Sequence, residues 1–151
     1  MWRELWRQSP QRERMERLDK SFPFTRLRQL LDGFTRAQCS LLIQLRSSHI
    51  LLNAHLFCLN CTDSDKCQAC NNRCGTAPSR EMVTHFLFDC PAYQEERHYL
   101  DAALGRHNRD LGYIMSEEAH IRELLRYIAR TERLQRTFGD IALRLMEDPT
   151  T

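Results

Sequence analysis

Apolar residues recur along the chain at intervals of three and four, the spacing of helices that bury one stripe. The clearest run is Ile121, Leu124, Leu125 and Ile128, which predicts the longest helix, over 117 to about 134, with Ser116 as its cap. Near the start, Ser9-Pro10 reads as a cap followed by proline at the first helical position, so a helix is expected over 10 to about 19. Before it, Trp2, Leu5 and Trp6 share one face of a short helix, and both indoles are expected to dock into the core.

Thr25 predicts a helix that stops at Gly33, with Leu27, Leu30 and Leu31 inward. Thr35 predicts the next, with Leu41, Leu42 and Leu45 inward. A short helix over 50–59 opens near Asn53. Residues 60–80 mix Asn, Asp, Ser, Gly and Pro with cysteines and read as loop. A helix is expected over 81–89, and Pro91 starts another that reaches about 104 and stops at Gly105. Phe138, Ile141 and Leu145 mark a final helix. No segment alternates with a period of two, so the fold class is all-α.

Composition narrows the class. The chain has 151 residues, 42% hydrophobic and 28% charged, which suits one folded domain and excludes a disordered or low-complexity chain. No apolar run is long enough for a bilayer span or a signal peptide. An intracellular protein, nuclear or cytoplasmic and without a membrane partner, is expected. Net charge is +2, but residues 1–50 alone carry +5. Of the 22 basic residues, 20 are Arg, which grips phosphate with paired hydrogen bonds. An overall charge this small is well short of a strong nucleic-acid signature.

Seven cysteines make an odd set for disulfides, and five lie between Cys58 and Cys74. In a reducing compartment that pattern favours a metal. Cys67, Cys70, His85 and Cys90 spell C-x2-C-x14-H-x4-C, a Cys3His set of the kind that holds one structural Zn²⁺. Competing donors leave alternatives. Cys74 forms C-x3-C with Cys70 and is an alternative ligand, while Cys58, Cys61 and His55 make a second zinc conceivable. Cys39 and Cys58 lie on apolar helices and read as core residues. His49 and His55 read as capping or hydrogen-bonding groups at a helix junction. The single domain thus divides into N-terminal helices over 1–59, a zinc-knuckle segment over 60–92 and C-terminal helices over 93–151.

Four stretches, in order, carry a family resemblance over nearly the whole chain. They are the paired-Trp lead-in from Trp2 to Pro10, the run Thr35 to Ile50 with Leu52-Asn53-Ala-His-Leu, and the block of Cys67-x2-Cys70 with Met82 to Tyr93. The last is Leu125-Arg-Tyr127-Ile-Ala-Arg-Thr131. Together they resemble the C-terminal zinc-knuckle (reverse-transcriptase zinc-binding) region downstream of RNase H in fungal non-LTR (LINE-like) retrotransposon polyproteins. The resemblance implies zinc on Cys67, Cys70, His85 and Cys90, and reverse transcriptase and RNase H domains of a parent element as partners. The stretch from Cys70 to His85 is longer than in that family, and Phe57-Cys58-Leu59 stands where relatives carry basic residues. No polymerase or RNase H carboxylate set is recognisable, so a non-catalytic terminal fragment of such an element is expected.

Two functions follow as expectations. The first is a module that contacts RNA or DNA through Arg12, Arg14, Arg17, Arg36 and Arg46, with bases stacking on rings such as Tyr93 or Trp6. The second is a purely structural or vestigial piece with no nucleic-acid affinity of its own. A catalytic zinc, with Glu81 or Asp89 as base, needs an open coordination position that four protein ligands do not leave.

Overall fold

The computed structural model describes residues 1–18 and 25–142, less the side chains of Trp2, Arg14 and Leu18. The described residues are helical, with no strand. In chain order the α-helices are α1 (Trp2–Arg7), α2 (Arg12–Leu18), α3 (Thr25–Leu31), α4 (Arg36–Ser47), α5 (Asn53–Cys58), α6 (Gln68–Cys74), α7 (Gln94–Leu104), α8 (Leu111–Ile114), α9 (Glu118–Thr131) and α10 (Gln135–Phe138). A π-helical turn, His85–Asp89, and a 3₁₀ turn, Pro91–Tyr93, join α6 to α7. No helix among the described residues is long and apolar enough to cross a membrane.

The core follows the periodic residues. Ile121, Leu124, Leu125 and Ile128 of α9 are all buried, as are Leu41, Leu42 and Leu45 of α4 and Leu100 and Leu104 of α7. Each such side chain contributes about 1.5–3 kcal/mol on leaving water. Helix α9 packs against α7, and Phe86 and Leu87 of the π turn enter the same core. Thr35 caps α4 as its sequence predicts. Its hydroxyl accepts from the Gln38 N–H, and the Gln38 side chain accepts in return from the Thr35 N–H.

Several boundaries differ from the sequence reading, each for a local reason. Helix α2 begins at Arg12, because the Ser9 hydroxyl and carbonyl take the Gln11 and Arg12 N–H groups in a turn that precedes it. Ser116 does not cap α9. Its hydroxyl donates to the Tyr113 carbonyl at 2.6 Å, and Glu117 holds the cap position without a side-chain bond. Helix α9 stops at Thr131, where Glu132 turns left-handed at φ 54°. Helix α10 ends at Phe138 before Gly139 at φ 69°, and Leu145 lies outside the described residues.

The largest difference falls in 60–80, which is not all loop. Helix α6 starts directly after Cys67 and ends at Gly75, whose φ of 62° suits glycine. The Thr76 amide and hydroxyl both donate to the Cys70 carbonyl at 3.2 Å. This helix was hidden because its polar sequence has no apolar stripe; its only buried residue is a cysteine.

Other side chains also move from their expected places. Cys58 is exposed rather than core, because α5 turns Ala54 inward instead. Cys39 is half-buried, with its thiol against the Leu31 and Phe34 carbonyls where α3 meets α4. Trp6 is half-buried rather than in the core, beside Arg12 and Glu16.

Candidate metal centre

Two backbone devices bring the donors together. The first closes the base of the cysteine segment. Lys66 and Arg80 form an antiparallel bridge, in which the Cys67 N–H donates to the Ser79 carbonyl and the Glu81 N–H to the Asp65 carbonyl, each at 2.8 Å. Asn53 adds a bond from Nδ2 to the Lys66 carbonyl at 2.7 Å. Cys67 therefore stands at the start of α6, and Cys70 follows within its first turn, three residues on and on the same side.

The second device is the π turn. In an α-helix, residues five apart point to different faces. Here the ladder widens, and the Cys90 N–H donates to the His85 carbonyl at 2.7 Å, five residues back. The widening swings Cys90 round to the side of His85. Such turns recur at functional sites.

The result is a buried Cys3His cluster able to hold one metal ion. One donor atom from each of Cys67, Cys70, His85 and Cys90 lies within 4.8 Å of all the others. Cys67 Sγ is 3.8 Å from Cys90 Sγ, Cys70 Sγ is 3.6 Å from Cys90 Sγ, and Cys70 Sγ is 3.3 Å from His85 Nε2. A tetrahedral ion with metal–sulfur bonds of about 2.3 Å needs sulfurs about 3.8 Å apart. These sulfurs are at that spacing and are not bonded as disulfides. Three thiols and an imidazole are a donor set that zinc takes.

The electrostatics suit a cation. Burial pushes the Cys67 thiol up from its ordinary range and the Cys90 thiol up to about 12, so in this pocket the neutral forms are held unless a cation replaces the protons. Burial also lowers the His85 pKa, which keeps the imidazole in the neutral form that binds metal.

Supporting groups surround the cluster, and the sequence pattern alone did not reveal them. Pro91 has no N–H to offer the π turn, and the Tyr127 hydroxyl donates to the Phe86 carbonyl at 2.5 Å instead. Arg97 donates from Nε to the Leu87 carbonyl at 2.9 Å and from Nη2 to the Cys90 carbonyl at 2.6 Å. Glu81, only 1% exposed, accepts from the Asn53 N–H at 2.7 Å and from both arms of Arg133 at 2.8 and 2.7 Å. Proline one residue past Cys90 was the available signal, since it leaves upstream carbonyls for side chains to satisfy.

The competing donors lie elsewhere. Cys58, Cys61 and Cys74 are exposed and outside the cluster. Cys74 is four residues beyond Cys70, about one helical turn farther along α6. His49 and His55 meet edge to face at 5.2 Å, at the junction of α4 and α5. Glu81 is committed to Arg133 and Asn53, and Asp89 pairs with Arg109.

The arginines expected to contact phosphate divide. Arg36 is exposed at the start of α4. Arg12 pairs with Glu16 at 2.8 Å and Arg17 with Glu13 at 3.7 Å, while the side chain of Arg14 lies outside those described. Arg46 is only 2% exposed, four residues after Leu42 on the inward face of α4, and is withdrawn from any ligand. Tyr93 is likewise 4% exposed, edge-on to Phe86 at 5.6 Å, and offers no face to a base. Comparison of the chain with protein-family models, curated proteins and solved structures gives no match.

Proposed function

We propose that this chain is a non-catalytic helical module stapled by one structural Zn²⁺ on Cys67, Cys70, His85 and Cys90. The observation that carries the reading is the set of buried sulfur–sulfur separations of 3.6 and 3.8 Å, the edges of a tetrahedron round one ion. Four protein donors fill that shell and leave no position for a reacting water. When bound, zinc would supply cohesion, joining α6 to the π turn where little apolar surface does so.

The charge pattern supports docking against protein. Several arginines are already paired with carboxylates, as in Arg12–Glu16, Arg73–Glu96, Arg80–Asp65 and Arg122–Glu118. Such pairs leave little net charge for a phosphate backbone. With the order of motifs along the sequence, this supports a folding or docking role beside the reverse transcriptase and RNase H domains of a retrotransposon-type polyprotein. One observation favours the second reading, contact with RNA or DNA. The Arg130 guanidinium lies 4.5 Å over the exposed ring of Tyr99, a cation and a flat ring on one open surface.

Metal analysis of purified protein tests the first claim, with one zinc per chain expected and none overturning it. Titration with single-stranded RNA and DNA at several salt concentrations separates the two roles. Binding that weakens steeply with salt supports the nucleic-acid role, and no binding at low salt supports docking.

A further inference from the structure

The charged groups round the cluster do not cancel. Asp89, Glu81 and Arg97 are the charges whose fields reach His85. Asp89 is paired with Arg109, and Glu81 with Arg133. Arg97 is left over. It is 8% exposed, and its hydrogen bonds go to two main-chain carbonyls, those of Leu87 and Cys90. Among the described residues no carboxylate lies within ion-pairing distance of it.

A guanidinium stays charged even when buried. Placing one in a protein interior without an opposite charge is costly, and such charges are found paired. The missing negative charge is supplied by chemistry next door. A divalent ion on three thiolates and a neutral imidazole carries one net negative charge. We propose that Arg97 is the counter-ion of the filled metal centre, its positive charge held against the Cys90 peptide to offset the surplus thiolate. This rests on the Cys3His reading and adds the charge state that the centre must have. Arg97 is a positioning residue, touching a ligand's carbonyl and not the ion. Its bonds to Leu87 and Cys90 also fix both ends of the chain that presents Cys90.

The experiment measures zinc affinity by competition with a chromophoric chelator. It compares the full chain with Arg97→Met, with Arg97→Lys, and with Arg97→Met placed in a Cys67→His background. In that background two thiolates and two imidazoles make a neutral centre that needs no counter-ion. Arg97→Met is expected to weaken zinc binding by about 10–100-fold, the scale for losing a group that supports a ligand. Arg97→Lys keeps the charge but cannot span both carbonyls, and should retain most of the affinity. In the Cys67→His background the Arg97→Met penalty should vanish.

A residue that merely caps two carbonyls gives the opposite pattern: Lys fails as badly as Met, and the penalty persists in the neutral background. Either result overturns the proposal. If Arg97→Met does not fold or Cys67→His binds no zinc, the lysine variant decides alone. Wild-type protein that takes up no zinc refutes the metal reading itself. Zinc uptake unchanged by Arg97→Met refutes only the counter-ion.

Discussion

The Tyr127 hydroxyl of α9 donates to the Phe86 carbonyl within the π turn, one residue after the candidate ligand His85. The longest of the described helices thus reaches the candidate metal centre through one buried hydrogen bond. Tyr127→Phe removes only the hydroxyl and leaves that carbonyl without a donor. The loss of an unsatisfied buried acceptor is about 1–3 kcal/mol, read as a lower urea midpoint with an unchanged slope. An unchanged midpoint would mean that water or another group takes the carbonyl.

Alkaline pH should weaken the fold through two tyrosines. Burial raises the Tyr93 pKa from 10.0 to about 12 and raises that of Tyr127 further. The folded state therefore holds the neutral phenols more tightly than the unfolded chain does. Stability from this source is complete below pH about 10 and is lost as pH climbs through the folded values. Urea midpoints taken across that window should fall, and fall less in Tyr93→Phe. Equal slopes in the two proteins would assign the loss to other groups.

Ligand and bystander cysteines should separate cleanly. Cys70→Ser should cost more zinc affinity than the about 10–100-fold that loss of a supporting group costs. Cys74→Ser should leave it unchanged, since the exposed thiol lies outside the cluster. Equal losses in both would move the ligand set along α6.

The pair of Glu81 with Arg133 should be expensive to halve and cheap to remove. Glu81 is 1% exposed and accepts three hydrogen bonds. Glu81→Gln, or Arg133→Met alone, should destabilise by about 3 kcal/mol, because each strands a charge or its partners. The double variant should lose less than the two single losses combined. Full additivity in urea unfolding would show that the pair is not coupled.

Chelation should act locally. With the ion removed, amide exchange should rise most over 58–92 and least in α9, whose inward residues are held by the core. Uniform loss of protection, or none, would contradict a local staple.

The helices that bury an apolar stripe were legible because periodicity reports burial directly, as in α4 and α9. The four clustered donors were legible from C-x2-C followed by H-x4-C taken together; C-x2-C alone also marks Cys58 and Cys61, which lie outside the cluster. What stayed hidden was set by tertiary context. Helix α6 has no apolar stripe, and the bridge and the cluster hold it rather than its own pattern. Arg46, expected to meet phosphate, is buried, and Arg97 is buried with no periodic signal to mark it. Tyr93 looked like an open stacking face, and packing against Phe86 closes it.

The Lys66–Arg80 bridge settles where this chain can grow. Its two main-chain bonds tie off the segment, with Cys67 at the knot. Past α6, between Thr76, which is tied to the Cys70 carbonyl, and Ser79, whose carbonyl holds Cys67, Ala77 and Pro78 form an exposed tip. Lengthening a tied-off tip adds only a logarithmic entropy cost, about 0.6 kcal/mol for each doubling. That tip is where inserted residues, a fluorophore or an affinity tag can be carried without loosening the donors beneath it.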